Sequence, residues 1–149
     1  MGDFHRWAGH TDRHTGHSGP GFPAVTSAAA AQLGRQAEDH ALSVLQGEKY
    51  RLVERNFRCR GGEIDLIMTL GRTVERRELV FVEVRYRKQS DFGDGGESVD
   101  RHKQRRLRFA AETWLQKHHD FPFHYCRFDV VSVTGSPPDF QLDWIQDAF

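Results

Sequence analysis

The chain has 149 residues, a length typical of one domain. Hydrophobic residues make up 38% of it and charged residues 28%, ordinary values for a globular protein that needs no disulfide or metal to fold. No apolar run is long enough to cross a membrane, the N-terminus lacks the apolar segment of a secretory signal, and Cys59 and Cys126 form no CxxC pair. We therefore expect a protein of the reducing cytoplasm with no membrane partner.

The formal net charge is zero, but the charges are unevenly distributed. Residues 51–110 carry 15 basic and 10 acidic side chains, whereas residues 111–149 carry 2 and 6. Arginine outnumbers lysine by 17 to 4, and guanidinium groups match the geometry of phosphate. The basic middle of the chain is consistent either with a polyanionic partner or with a solvated charged face.

Residues 1–26 predict a disordered arm, because they are rich in glycine and histidine and show no apolar periodicity. The spacing of the histidines in this arm fits no closed metal site. Residues 27–149 predict a single domain. Its first helix spans residues 27–46, and the apolar face of this helix also carries Glu38. Glu38 therefore either points to water from the edge of that face or reaches into a site.

Strands are predicted at residues 50–57, 63–68 and 79–87. The first two are joined by a glycine turn at 59–62, where glycine is able to take positive φ, and a polar connection at 69–78 follows. Strict alternation in the second strand places Glu63, Asp65 and Ile67 on one side and Ile64, Leu66 and Met68 on the other. The third strand is apolar on both faces until its charged end, which is typical of a central strand.

The second half of the chain begins with a glycine-rich polar loop at residues 88–98 that lacks the fingerprint of a phosphate-binding loop. A second helix follows at 99–119, with Lys103 one turn before Leu107 on its buried stripe. The last predicted strand is 128–133, and Asp129 near its start is interpreted as structural. The order helix, three strands, helix, strand predicts a mixed α/β domain.

Two acidic residues, Asp65 and Glu83, lie inside apolar strands. A carboxylate in a central strand is costly unless it is paired or binds a metal. Antiparallel neighbours at matching depth would bring both carboxylates to one cation, with Glu63 as an outer ligand or supporting group and Glu38 as a further carboxylate. Oxygen ligands of this kind favour Mg²⁺ or Mn²⁺. The alternative is a buried ionic network with Arg58, Arg60 and Arg85.

At this point the residues resemble a known family. Asp65 followed by Glu83-Val84-Arg85 resembles the D…(D/E)xK core of restriction-endonuclease-like nucleases. More closely, four strings in order resemble the YraN-like family: GGEIDLI (61–67), LVFVEVRYR (79–87), Lys103-Gln104 and RFDVV (127–131). That family is assigned to the nuclease superfamily, with similarity to archaeal Holliday junction resolvases. The resemblance runs from about residue 30 to the C-terminus and implies a restriction-endonuclease-like mixed sheet flanked by helices.

The resemblance implies roles for individual residues. Asp65 and Glu83 become the metal-binding pair, and Glu38 becomes the acidic residue carried by the first helix. Arg85 takes the place of the superfamily's lysine, although Arg stays protonated and cannot act as a base. Lys103 could supply the missing ammonium. Further positive groups could hold the nucleic-acid backbone: Arg58, Arg60, Arg87 and Lys88.

Three functions remain open. The first is a Mg²⁺-dependent endodeoxyribonuclease acting on DNA, with branched DNA as the target that the resemblance implies. The second is a nucleic-acid-binding module on the same fold that does not cleave, which the arginine at position 85 motivates. The third is an interaction protein with a buried ionic network. Because resolvases of this fold act as symmetric dimers, the resemblance also implies a homodimer.

Overall fold

The computed structural model describes residues 26–88 and 99–149. The predicted arm (residues 1–25 of it) and most of the predicted glycine-rich loop (residues 89–98) lie outside these described residues. The elements in chain order are α1 (Ser27–Gly47), β1 (Arg51–Cys59), β2 (Gly62–Leu70), a 3-10 turn (Val74–Arg76), β3 (Glu78–Arg87), α2 (Arg101–Lys117), β4 (Tyr125–Thr134) and β5 (Gln141–Ile145). In the described part of the chain, no helix is both long and apolar enough to cross a membrane.

The five strands form one mixed sheet in the order β1-β2-β3-β4-β5. All neighbouring pairs are antiparallel except β3 and β4, which are parallel because α2 provides the crossover between them. Helix α1 packs on one face of the sheet and α2 packs on the other. The predicted mixed α/β class is confirmed, and the architecture is consistent with a restriction-endonuclease-like fold.

Strand β3 is the centre of this sheet and is covered on both faces, as its sequence predicts. Leu79 and Phe81 pack in the core beneath α2, whereas Val80 and Val82 pack in the core beneath α1. All four are essentially inaccessible to water. A polar side chain in this strand therefore enters the middle of the protein, which is the situation of Glu83.

Both helices start at side-chain caps and bury a narrow stripe. The Thr26 hydroxyl accepts a hydrogen bond from the Ala29 N–H at the start of α1. The Asp100 carboxylate accepts one from the Lys103 N–H at the start of α2, at 2.8 Å. The buried residues follow helical spacing in both cases: Ala37, Ala41 and Leu45 in α1, and Leu107, Ala110, Ala111 and Trp114 in α2.

The alternation predicted for β2 is wrong at Ile64. Ile64 packs with Ile67 in the core beneath α2, whereas Leu66 and Met68 lie in the core beneath α1. Between them, the carboxylate of Asp65 accepts a hydrogen bond from the Val84 N–H at 2.7 Å. The β2–β3 pairing begins at Leu66 and Val82, so this side-chain bond lies just beyond the ladder, where the two-residue period is broken.

The glycine turn between β1 and β2 is present, but the reason for its glycines is different from the predicted one. In the described part of the chain, the glycines with positive φ are Gly71 and Gly135. At Gly61 a Cβ would lie 2.3 Å from the Phe109 ring, and at Gly62 it would lie 2.4 Å from the Arg106 carbonyl oxygen. The turn therefore needs glycine because it packs directly against α2.

Strand β5 is absent from the sequence-based prediction, in which 128–133 is the last strand. Its signal is a short alternation in which Leu142 and Trp144 are half-buried between exposed neighbours. The strand pairs with β4 and carries Trp144 to Asp129, whose carboxylate accepts a hydrogen bond from the indole N–H at 3.0 Å.

Asp129 is the centre of a buried polar network and is structural, as interpreted from the sequence. Its fully buried carboxylate accepts hydrogen bonds from Arg127 Nε at 2.9 Å and from the Asp147 N–H at 3.0 Å, in addition to Trp144. The Arg127 guanidinium also donates to the Tyr50 hydroxyl at 2.7 Å and pairs with Glu78. The network thus joins β3, β4 and the C-terminal segment.

We expect Asp129→Ala to lower the free energy of unfolding by about 3 to 5 kcal/mol, because it leaves the Arg127 charge buried with fewer partners. Urea unfolding monitored by circular dichroism measures this loss. The matched control is Asp139→Ala, an exposed carboxylate for which we expect a change within about 0.5 kcal/mol. A loss at Asp129 as small as that of the control would contradict this role.

Candidate active site

Glu83 is a carboxylate in the middle of the central strand. Its side chain is 8% exposed, and its Oε1 lies 3.0 Å from the Nζ of Lys103 on α2. Its other oxygen, Oε2, is buried and has no hydrogen-bond partner among the described residues. A buried carboxylate oxygen normally accepts a hydrogen bond or binds a metal, so Oε2 is a buried acceptor that could serve as a ligand.

Asp65 on the neighbouring strand β2 interacts electrostatically with Glu83. Burial raises the pKa of Asp65 to about 7, with further increases from the charges of Glu83 and Glu38. The Val84 N–H and the Lys103 ammonium act in the opposite direction. Three of the other predicted catalytic residues, Glu38, Glu83 and Lys103, thus each act electrostatically on Asp65.

Glu38 follows neither of the two alternatives in simple form. Its carboxylate is largely buried rather than turned to water, and it is held by Arg55 on β1. Arg55 donates from Nε at 3.1 Å and from Nη2 at 2.6 Å, and the Asn56 amide donates at 3.1 Å. Asn56 has a φ of 52°, which bends β1 locally. Sequence reasoning missed both partners, since this bend breaks the alternation that would place them.

An open cleft of about 770 Å³ lies between α1 and the adjoining ends of β1 and β2. Its walls include the carboxylates of Glu38 and Asp65 together with Arg58 and Glu63. Its floor on α1 includes Gly34, where an added Cβ would meet no atom within 4 Å. Asp65 is therefore reachable from solvent through this cleft, while Glu83 lies deeper on the α2 side.

Arg85 is the predicted catalytic residue that stands apart. It is half-buried on β3, two residues beyond Glu83, and it interacts electrostatically with Asp100 at the start of α2. It makes no hydrogen bond or ion pair with any residue that the structure describes. The ammonium that contacts Glu83 belongs instead to Lys103, which the sequence indicates by its place on the buried stripe.

The predicted backbone-binding residues border the same end of the sheet. Arg58, Arg60 and Lys88 are exposed, and Arg87 is half-buried. Arg58 forms a 3.7 Å ion pair with Glu63. The alternative prediction, in which arginines at positions 58, 60 and 85 neutralise Asp65 and Glu83, is wrong. Glu83 pairs instead with Lys103, and Asp65 accepts a hydrogen bond from the Val84 N–H.

Asp65 and Glu83 supply only some of the ligands that a hard divalent cation needs. Within the described residues, no group of three or more His, Cys, Asp or Glu side chains is arranged to hold a metal ion. Asp65 and Glu83 provide two carboxylates, and one oxygen of Glu83 is buried without a hydrogen-bond partner among the described residues. Mg²⁺ is commonly held by one or two carboxylates, with waters and substrate phosphates completing its shell. The residues present therefore fit such an ion when a phosphate is also bound.

Comparison with known proteins places the chain in a family. The profile of the Uncharacterised protein family UPF0102 matches residues 37–133. The chain belongs to this family. A UPF0102 protein of Pseudomonas savastanoi pv. phaseolicola is 47% identical over 119 residues, covering 79% of this chain and 93% of the relative. One from Stutzerimonas stutzeri is 48% identical over 116 residues, covering 78% and 92%. The YraN-like membership inferred from the motif strings is thereby confirmed.

The raised pKa of Asp65 makes the stability of this UPF0102 protein depend on pH. The folded-state pKa of about 7 lies above the ordinary value of 3.8, so the folded protein binds this proton more tightly than the unfolded chain does. The contribution of Asp65 to stability is thus complete below about pH 4 and is lost as pH rises to about 7. Asn at this position stays neutral and still accepts the Val84 N–H.

We expect Asp65→Asn to be more stable than wild type at pH 8 by roughly 1 to 3 kcal/mol, and close to wild type near pH 4. Urea unfolding across this pH range measures the difference. Asp143→Asn, an exposed carboxylate on β5, serves as the control and should follow the wild-type profile. Parallel pH profiles for Asp65→Asn and wild type would contradict the assignment of a protonated buried Asp65.

Proposed function

We propose that this protein is a metal-dependent endonuclease that hydrolyses phosphodiester bonds in DNA, with branched DNA as its target. The observation that carries the proposal is the state of Glu83 Oε2. This oxygen is buried in the central strand beside Asp65 and Lys103, and it has no hydrogen-bond partner among the described residues. Membership of a nuclease superfamily, implied by the D…ExR pattern, supports the same chemistry. A fold by itself does not specify a function, so the weight rests on this cluster.

Asp65 and Glu83 would hold a Mg²⁺ or Mn²⁺ ion from two neighbouring strands. Such an ion lowers the pKa of a bound water and polarises the scissile phosphate. Its charge would also favour the ionised form of Asp65, whose pKa is raised by burial and by the charge of Glu83. The central strand keeps Glu83 in place because it is buried on both sides.

Lys103 is the residue best placed to serve the phosphate. Its ammonium lies 3.0 Å from Glu83 Oε1, and its side chain is 27% exposed, so it connects the buried carboxylate with solvent. In this position it neutralises Glu83 and can stabilise negative charge on a bound phosphate. An arginine side chain does not act as a base, so the part of Arg85 is limited to binding and charge stabilisation.

Glu38 would act through position rather than through contact with the metal pair. Arg55 and Asn56 fix its carboxylate at the wall of the cleft, where it influences Asp65 electrostatically. A carboxylate held in this way can orient a water molecule that enters the cleft. The positive residues at this end of the sheet, Arg58 and Arg60 among them, would hold the DNA backbone without reading its sequence.

The second candidate is a nucleic-acid-binding module that does not cleave. It is favoured by the ion pair between Lys103 and Glu83, which already neutralises half of the proposed metal pair, and by the arginine at position 85. It predicts binding without metal and unchanged binding in Asp65 or Glu83 variants. The homodimer and the cytoplasmic location remain predictions of both candidates.

The test is cleavage of labelled four-way-junction, duplex and single-stranded DNA with Mg²⁺, Mn²⁺ or EDTA. We expect wild type to cut in the presence of metal and Glu83→Gln to cut about 100-fold more slowly or not at all, because the variant removes a metal ligand without changing side-chain size. The matched control is Glu75→Gln, an exposed carboxylate at the far end of the sheet. Metal-independent cutting, or normal cutting by Glu83→Gln, would overturn the proposal.

The role of position 85 has its own test. We expect Arg85→Lys to fold normally and to raise the cleavage rate several-fold, because lysine restores an ammonium two residues after Glu83. Single-turnover cleavage of the same DNA measures the change, and the melting temperature checks the fold. A loss of cleavage in Arg85→Lys would indicate instead that the planar guanidinium makes a two-point contact with phosphate.

A further inference from the structure

The outer face of α2 carries a row of arginines that the proposed catalytic cluster does not use. Arg101, Arg105 and Arg108 follow each other at spacings of four and three residues, which places them on one side of the helix. All three are exposed. At 1.5 Å per residue they extend over about 10 Å along the helix axis. We call these three residues the α2 arginine stripe.

The positive charge of this stripe is not neutralised by the described part of the protein. None of its three members forms an ion pair with a residue that the structure describes. The next acidic residue on the same side of the helix is Glu112, beyond Arg108. Like charges at this spacing destabilise a helix by a few tenths of a kcal/mol each. Within the described residues, no acidic side chain pairs with the stripe to offset this cost.

Arg108 is held in an orientation suited to a ligand. Its guanidinium lies 5.6 Å from the centre of the Phe149 ring, which itself stacks on Phe128 at 4.9 Å. An aromatic face orients the guanidinium plane but occupies none of its N–H donors. The donors of Arg108 therefore remain available at the surface, and its side chain has less freedom to lose on binding.

The stripe begins beside the proposed active site. Lys103, which contacts Glu83, lies between Arg101 and Arg105 in sequence but on the opposite, sheet-facing side of the same helix. Arg85 at the end of β3 interacts electrostatically with Asp100, the N-cap of α2. A polyanion bound along the stripe would thus lie on the outer side of α2 and pass the N-terminal end of the helix, the end from which Lys103 reaches Glu83.

We propose that the α2 arginine stripe is a phosphate-binding surface that holds the backbone of a nucleic acid beside the proposed active site. The inference rests on the proposed function, since it assigns a binding surface to the same substrate class. At a rise of 3.4 Å per nucleotide, the 10 Å length of the stripe corresponds to about three phosphates of one strand. Contacts of this kind bind the backbone independently of base sequence.

The experiment compares two triple variants with the same change in charge. One is Arg101→Gln, Arg105→Gln and Arg108→Gln. The control is Arg51→Gln, Arg72→Gln and Arg76→Gln, three exposed arginines at the opposite end of β1 and β2. Binding to a fluorescent four-way junction and to a duplex is measured by anisotropy over a range of NaCl concentrations, in EDTA so that no metal-dependent cutting occurs.

We expect the stripe variant to bind about ten-fold or more weakly and to reduce the slope of log K against log[salt] by about 2 to 3, because each lost phosphate contact removes about 0.7 to 0.9 from it. The control should keep most of the wild-type slope. Equal slopes for the two variants, or no DNA binding by wild type, would overturn the inference. Melting temperatures of both variants show that each is folded.

The same measurements separate this inference from the proposed function. If wild type cuts DNA in a Glu83-dependent manner and the stripe variant keeps the wild-type slope, the inference fails and the nuclease proposal stands. If the stripe variant loses slope but no protein cuts DNA, the binding surface stands and the nuclease proposal fails.

Discussion

The ion pair between Glu83 and Lys103 is the interaction on which the proposed site depends. A carboxylate at the centre of a five-stranded sheet has lost its hydration and is tolerated only with a partner. Lys103 supplies that partner from α2, but only to one of the two oxygens. The strand at the centre of the core therefore also holds a buried polar atom that has no hydrogen-bond partner among the described residues. A buried polar atom without a hydrogen-bond partner lowers the stability of the fold, and a local cost of this kind is typical of functional sites.

The rest of the structure supports that position from two sides. Glycines at 61 and 62 let the β1–β2 turn pack directly against α2, the helix that carries Lys103. On the other face, α1 carries Glu38 to the wall of the cleft, where Arg55 fixes it. On the neighbouring strand β4, the network around Arg127 and Asp129 uses buried charge differently, since every charged group named in it has a partner. The structural carboxylate of Asp129 thus differs from that of Glu83, one of whose oxygens has no hydrogen-bond partner among the described residues.

Sequence patterns predicted those features that depend on local periodicity. The helices, the covered central strand and the inward position of Lys103 all follow from spacing, and the structure has them. Features that depend on departures from periodicity were missed. The break at Ile64, the positive φ of Asn56 and the clamp of Arg55 on Glu38 arise from tertiary contacts that no local period encodes. Strand β5 was missed because five residues with two half-buried positions give a weak alternation.

The proposed function depends on Asp65 and Glu83 binding a divalent cation together. Electron paramagnetic resonance of Mn²⁺ titrated into the protein at pH 8, with a phosphorothioate DNA that resists cleavage, tests it most directly. We expect one bound Mn²⁺ per chain in wild type and the loss of this binding in both Asp65→Asn and Glu83→Gln. Mn²⁺ binding that persists unchanged in these two variants, or wild type that binds none, would contradict it.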